Sequence, residues 1–299
     1  MMLDPDIENA AISGRSTNPS GSKTSAFASP RPVRLPSEMT ASRAALVRRA
    51  MRYPYPTPNA SFVMYGGKAL PIAHSGGSLG DSLVWQSGRT RYLSDLAPSL
   101  DFGASRRAVL AVGSNAAPAQ LRRKLAGHED VLPVIRARLQ DFDVVYSAHI
   151  SVYGAVPATL WQVPGATADV CVTFLTPEQE ELMLDTEGGN YHYSTLPGVS
   201  LDLEYDLWSE TGPVFAFVSK FGALSLHGGP VALGAVVSMR SPLPRCSEPA
   251  LLRQIARRLG FSTASELVLR VLEDDAERQR VLRALNDEAL PSGFPYEPL

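Results

Sequence analysis

Arg106-Arg-Ala-Val-Leu-Ala-Val-Gly-Ser-Asn115 is the stretch on which the reading of this 299-residue chain turns. Ala108 to Val112 is a short, continuous apolar run, as in a fully buried strand, and Gly113 stops it. Gly113-Ser-Asn115 then reads as a polar turn, and Pro118 introduces a helix expected over Ala119 to Leu125. Strand, polar turn and helix in that order aim backbone N–H groups at whatever sits above the turn.

Downstream the chain reads as short strands: Phe142 to Tyr146, Ala158 to Val163 and Asp169 to Leu175, punctuated by Gly154, Pro157 and Pro164-Gly165. Thr176-Pro-Glu-Gln179 is a helix start with an N-cap threonine, proline at the first helical position and glutamine at the capping-box position. Gly188-Gly189 ends that helix directly after Glu187. Leu201 to Trp208 alternates like a half-buried strand, and Val214 to Val218 and Val231 to Val237 are two further apolar runs. From Glu248 the period becomes helical, with Leu251, Leu252, Ile255 and Leu259 on one face and a second capping box at Thr263 to Glu266.

Upstream, Met1 to Thr40 is rich in Ser, Pro, Gly, Asn and Thr and is expected to be disordered. Residues 41–105 form an extension: a helix at Ala41 to Met51 with an arginine-rich face, a hairpin at Ser61 to Ile72 around Gly66-Gly67, and a strand at Ser82 to Trp85. The expected organisation is therefore a 1–40 segment, the 41–105 extension, a domain over 106–243 and a helical extension over 244–299.

With 28 basic against 30 acidic residues the chain lacks the positive excess expected of a nucleic-acid binder. Cys171 and Cys246 lie far apart and outside any C-x-x-C pair, so neither a zinc site nor a disulfide framework is indicated. No run has the length of a membrane span and the N-terminus lacks a secretory apolar core, so the expected location is cytoplasmic.

Three pieces in order, Val109 to Asn115 with Gln120-Leu121, then Gly154 to Gly165, then Leu184-Asp-Thr-Glu187-Gly188 with Tyr193, resemble successive signatures of the gamma-glutamylcyclotransferase family. The resemblance covers a little under half the chain. It implies an α+β fold: a small, mostly antiparallel β-barrel with surrounding helices, to which this chain adds its helical C-terminal extension. Two departures stand out. The glutamate follows the aspartate one residue sooner than in the family pattern, and Val112 occupies the place of the family tyrosine, which removes a hydroxyl.

The resemblance also implies a reaction. The free α-amine of a gamma-glutamyl group attacks its own side-chain carbonyl, which closes a five-membered ring as 5-oxoproline and expels the amine. Tethering supplies much of the entropic advantage, so one carboxylate that moves a proton both ways is sufficient. By carry-over that carboxylate is Glu187, and Val112, Gly113, Ser114, Asn115, Tyr193 and the second candidate Tyr191 are the substrate-binding residues. No metal and no cofactor is called for. The expected partner is a small gamma-glutamyl compound whose leaving group, like the oligomeric state, is not readable in the sequence. The alternative is a non-catalytic binding or interaction module on the same fold, favoured by Val112 and the appended segments.

Other patterns carry less. Gly76-Gly-Ser78-Leu-Gly80 matches a nucleophile elbow, but strand rather than helix is expected after it. Leu252 to Leu272 mimics a helix-turn-helix, yet its would-be recognition helix offers only Arg270 to phosphates, so two core-packing helices are expected. His74, His128, His149, His192 and His227 show no metal-ligand spacing, although His192 falls near Glu187.

Overall fold

The structure, a computed structural model, describes residues 41–74, 78–97, 105–127, 130–205 and 212–299. The expectation for residues 1–40 lies outside them, as do Gly76, Gly77, His128 and the end of the strand expected to reach Trp208. The helices are α1 (Ala41–Met51), α2 (Leu93–Leu96), α3 (Pro118–Lys124), α4 (Pro177–Glu187), α5 (Glu248–Arg258), α6 (Ala264–Glu273) and α7 (Asp275–Asn286). The longer strands are β1 (Phe62–Tyr65), β2 (Lys68–His74), β3 (Leu83–Gln86), β4 (Arg89–Tyr92), β5 (Arg107–Ala111), β6 (Leu132–Tyr146), β7 (Ala158–Leu175), β8 (Tyr191–Thr195), β9 (Leu201–Leu203) and β10 (Phe215–Ser219).

The pairing runs from Glu297–Pro298 through β8, β10, β5, β7, β6, β1, β2 and β3 to β4. Most pairs are antiparallel, while β10 runs parallel to β5, so the fold is α+β with a mixed sheet. The path is open and does not close into a ring of strands. β1 pairs with β6, so the hydrogen-bonded sheet continues across the boundary placed at 105/106. Among the described residues no helix is long and apolar enough to cross a membrane.

The expected short strands are corrected by the β6–β7 hairpin, in which 132–146 pairs with 158–175 as two long strands. Pro164-Gly165 is a bend within β7 rather than its end. Facing it, Asp141 takes a left-handed φ of 61° at the point where the register shifts, and its carboxylate accepts the Gly165 N–H at 2.6 Å. A bulge of this kind kinks a strand without ending it.

Alternation builds the core. Phe62 and Met64 of β1, Leu132 and Val134 of β6, Val109 of β5, Tyr191 and Tyr193 of β8, and Phe215 and Phe217 of β10 share one buried cluster. Leu121 of α3 and Met183 of α4 close it from the helical side, each contributing roughly 1.5–3 kcal/mol by burial. α4 starts as expected, with the Thr176 side chain accepting the Gln179 N–H and the Gln179 side chain accepting the Thr176 N–H. This packing holds the ends of α3 and α4 beside the loop that follows β5.

Candidate active site

After β5 the chain turns at Gly113 into one 3-10 turn, Ser114–Ala116, and then into α3 with Pro118 in its first turn. Gly113 is required there. A Cβ would run into the Tyr53 hydroxyl and lie 3.3 Å from the Ala158 Cβ. Ala158 is gripped by two tyrosines: its N–H donates to the Tyr53 oxygen at 2.8 Å and its carbonyl accepts from the Tyr191 hydroxyl at 3.1 Å. Burial raises the pKa of both phenols, so they stay neutral.

Glu187 is the last residue of α4, where the Gly188 N–H closes the helix onto the Leu184 carbonyl at 2.8 Å. Its carboxylate accepts from the Lys124 ammonium, which also donates to the Asn115 side-chain oxygen at 2.8 Å. The Lys124 side chain is only 5% exposed, against 16% for Glu187. Burial lowers the Lys124 pKa and the Glu187 charge pulls it back up. One ammonium thus ties the loop after β5 to the end of α4.

Val112, Gly113, Ser114, Asn115, Glu187 and Tyr191 all line one cavity of about 420 Å³, with Phe217 also in its wall. Tyr193 does not line it. Being two residues along β8 from Tyr191 it shares the inward face, but it is spent in the core, stacked on Phe215 at 5.3 Å and 12°. His192 faces the other side of β8, 6.2 Å from the Tyr296 ring, and is not in the cavity wall.

Several lining residues had no sequence signal strong enough to select them. Arg49 and Tyr53 come from α1 and the segment after it, so the extension forms part of the wall. The Arg49 guanidinium lies 5.0 Å from the centre of the Tyr153 ring, itself in the wall. Lys124 could have been suspected, because it lies three and four residues after Leu121 and Gln120, both buried. It was masked by its place in an Arg122-Arg123-Lys124 run, which reads as an exposed helix end. His149 is buried to 2% exposure and burial lowers its pKa to about 3.

The arrangement offers a carboxylate held in a fixed direction, neutral phenols and a glycine loop around a cavity of small-molecule size. Among the described residues no group of three or more His, Cys, Asp or Glu could hold a metal ion. The chain matches no family model and no curated protein.

Proposed function

We propose that this chain is a gamma-glutamylcyclotransferase-type enzyme. The observation that carries the reading is that Glu187 and the Gly113-Ser114-Asn115 loop, 72 residues apart, line the same cavity. A solvated helix-end glutamate and an ordinary turn would have no reason to meet there.

In this reading the substrate's α-ammonium first releases one proton to solvent, and the free amine attacks the γ-carbonyl carbon. A new C–N bond closes the ring as Glu187 takes the surplus proton from the attacking nitrogen. Negative charge on the carbonyl oxygen is met by amides of the Gly113 loop. Collapse breaks the original amide C–N bond, and Glu187 returns the proton to the departing nitrogen. Lys124 fixes the direction of the carboxylate, and Tyr53 supplies at the Gly113 loop a hydroxyl that Val112 cannot. A small gamma-glutamyl compound as partner, a cytoplasmic location and the barrel form belong to the same proposal. The bend of the β6–β7 hairpin at Asp141 and Gly165 is a curvature that a barrel requires.

One observation favours a binding module instead: the carboxylate is already engaged by a buried ammonium. The deciding experiment incubates the protein with a panel of gamma-glutamyl dipeptides and gamma-glutamylamines and detects 5-oxoproline by mass. Product from any member supports the enzyme. Its absence across the panel in a folded sample, with binding retained, selects the module.

A further inference from the structure

His149 lines the cavity but has no part in the ring closure described above. Its ring is held edge-on to Tyr191 at 5.7 Å and against Phe221 at 4.7 Å. Nδ1 lies 2.7 Å from the Ser147 hydroxyl, which lies 2.6 Å from the Ser219 hydroxyl, all three residues being at most 3% exposed. Nε2 is buried and has no hydrogen-bond partner among the described residues.

The protons in this chain can be counted. Burial leaves the imidazole neutral, with one ring proton. The Ser219 oxygen accepts the Phe221 N–H at 3.0 Å, and among the described residues the oxygen placed to take the Ser219 hydroxyl proton is that of Ser147. Ser147 must then donate to Nδ1. The reverse order would leave two buried groups unpaired, the Ser219 hydroxyl proton and the Nε2 lone pair, where this order leaves one, the Nε2–H. Nδ1 is therefore the acceptor and the ring proton sits on Nε2, where it has no acceptor.

We propose that His149 is a ligand-binding residue whose Nε2–H donates to a carbonyl or carboxylate oxygen of the compound in the cavity, oriented for that by Ser147 and Ser219. The identity of that compound, a gamma-glutamyl substrate, rests on the functional reading above. The donor itself follows from the hydrogen-bond count. A neutral, fixed N–H suits an uncharged or delocalised oxygen and does not compete with Glu187 for the proton being moved.

The test has two readouts on the whole protein. Nitrogen-15 NMR of the imidazoles reports which ring nitrogen of His149 carries the proton. Nε2–H is expected, and an Nδ1–H tautomer overturns the inference whatever the activity. Kinetics then compare His149→Asn, which keeps a partner for Ser147 but loses the donor, with His149→Gln, whose amide nitrogen reaches the Nε2 position. With a gamma-glutamyl dipeptide that the wild type turns over, kcat/KM should fall about tenfold or more in His149→Asn and recover largely in His149→Gln. Equal values in wild type and His149→Asn overturn the inference alone. Absence of 5-oxoproline from the wild type overturns the functional reading and with it the identity of the compound, while the tautomer still decides on the donor, an outcome distinct from the other two.

Discussion

The Tyr53 hydroxyl occupies the space where a side chain on Gly113 would begin, and in that position it accepts the Ala158 N–H at 2.8 Å. A residue of the N-terminal extension therefore both explains the glycine and completes the wall of the cavity.

Gly113→Ala should destabilise the fold by about 1–3 kcal/mol, because the new methyl must displace a hydroxyl packed against backbone. Tyr53→Phe should cost a similar amount by leaving the buried Ala158 N–H without an acceptor. The double variant should lose less than the sum, since removing the hydroxyl makes the room that the methyl needs. Urea unfolding of the four proteins checks this, and strict additivity would disprove the contact.

The Lys124–Glu187 pair separates stability from chemistry. Glu187→Gln should keep its fold but lose turnover by roughly a hundredfold or more. It should also lose about 3 kcal/mol of stability, because it leaves a buried ammonium facing an amide. Lys124→Met should lower both properties. Combining the two should recover much of the stability and none of the turnover. Glu187→Asp, which keeps the charge but withdraws it by one methylene, should retain partial activity.

Glu248 is 2% exposed, accepts the Val156 N–H at 2.8 Å, and has its pKa raised well above 4.5 by burial. A carboxyl raised in the folded state contributes stability fully below the unfolded value of 4.5. That contribution is lost as pH rises toward the folded value, because the unfolded chain releases the proton first. Glu248→Gln has no proton to release. Relative to wild type it should gain about 1 kcal/mol or more between pH 4 and pH 7 in urea unfolding. Comparing the two proteins cancels the opposing effect of His149, whose lowered pKa makes stability fall as pH drops from 6.5 toward about 3. An unchanged difference across that range would show that Glu248 is not held protonated.

At the hairpin bend, Asp141→Val should lose about 1–3 kcal/mol by forcing a β-branched residue to φ 61° and removing the acceptor of the Gly165 N–H. Asp141→Asn should lose much less, since asparagine tolerates that φ and keeps an oxygen there. Thermal unfolding ranks the two.

What was legible in the sequence is what short-range chemistry controls. The helix at Ala41 to Met51, the Gly66-Gly67 hairpin and the Thr176–Gln179 capping box all stand where local pattern placed them, because each is decided within a few residues. Gly113, Ser114, Asn115 and Glu187 were selected as separate pieces, and they line one cavity. The long β6–β7 hairpin was not legible, since Pro164-Gly165 ends a strand unless a residue across the ladder, here Asp141, satisfies the bend. Tyr191 and Tyr193 share one face of β8, and only packing decided that the first reaches the cavity while the second is buried under Phe215. Tyr53, Lys124 and His149 belong to the same class. Their partners stand 105, 63 and, for the relay from Ser147 to Ser219, 72 positions apart, and no local pattern carries that information. The sequence by itself determined the pieces and their order. The tertiary structure decided which side chains enter the cavity, because that depends on where a twisted sheet and its covering helices leave space, a property of the whole packed core.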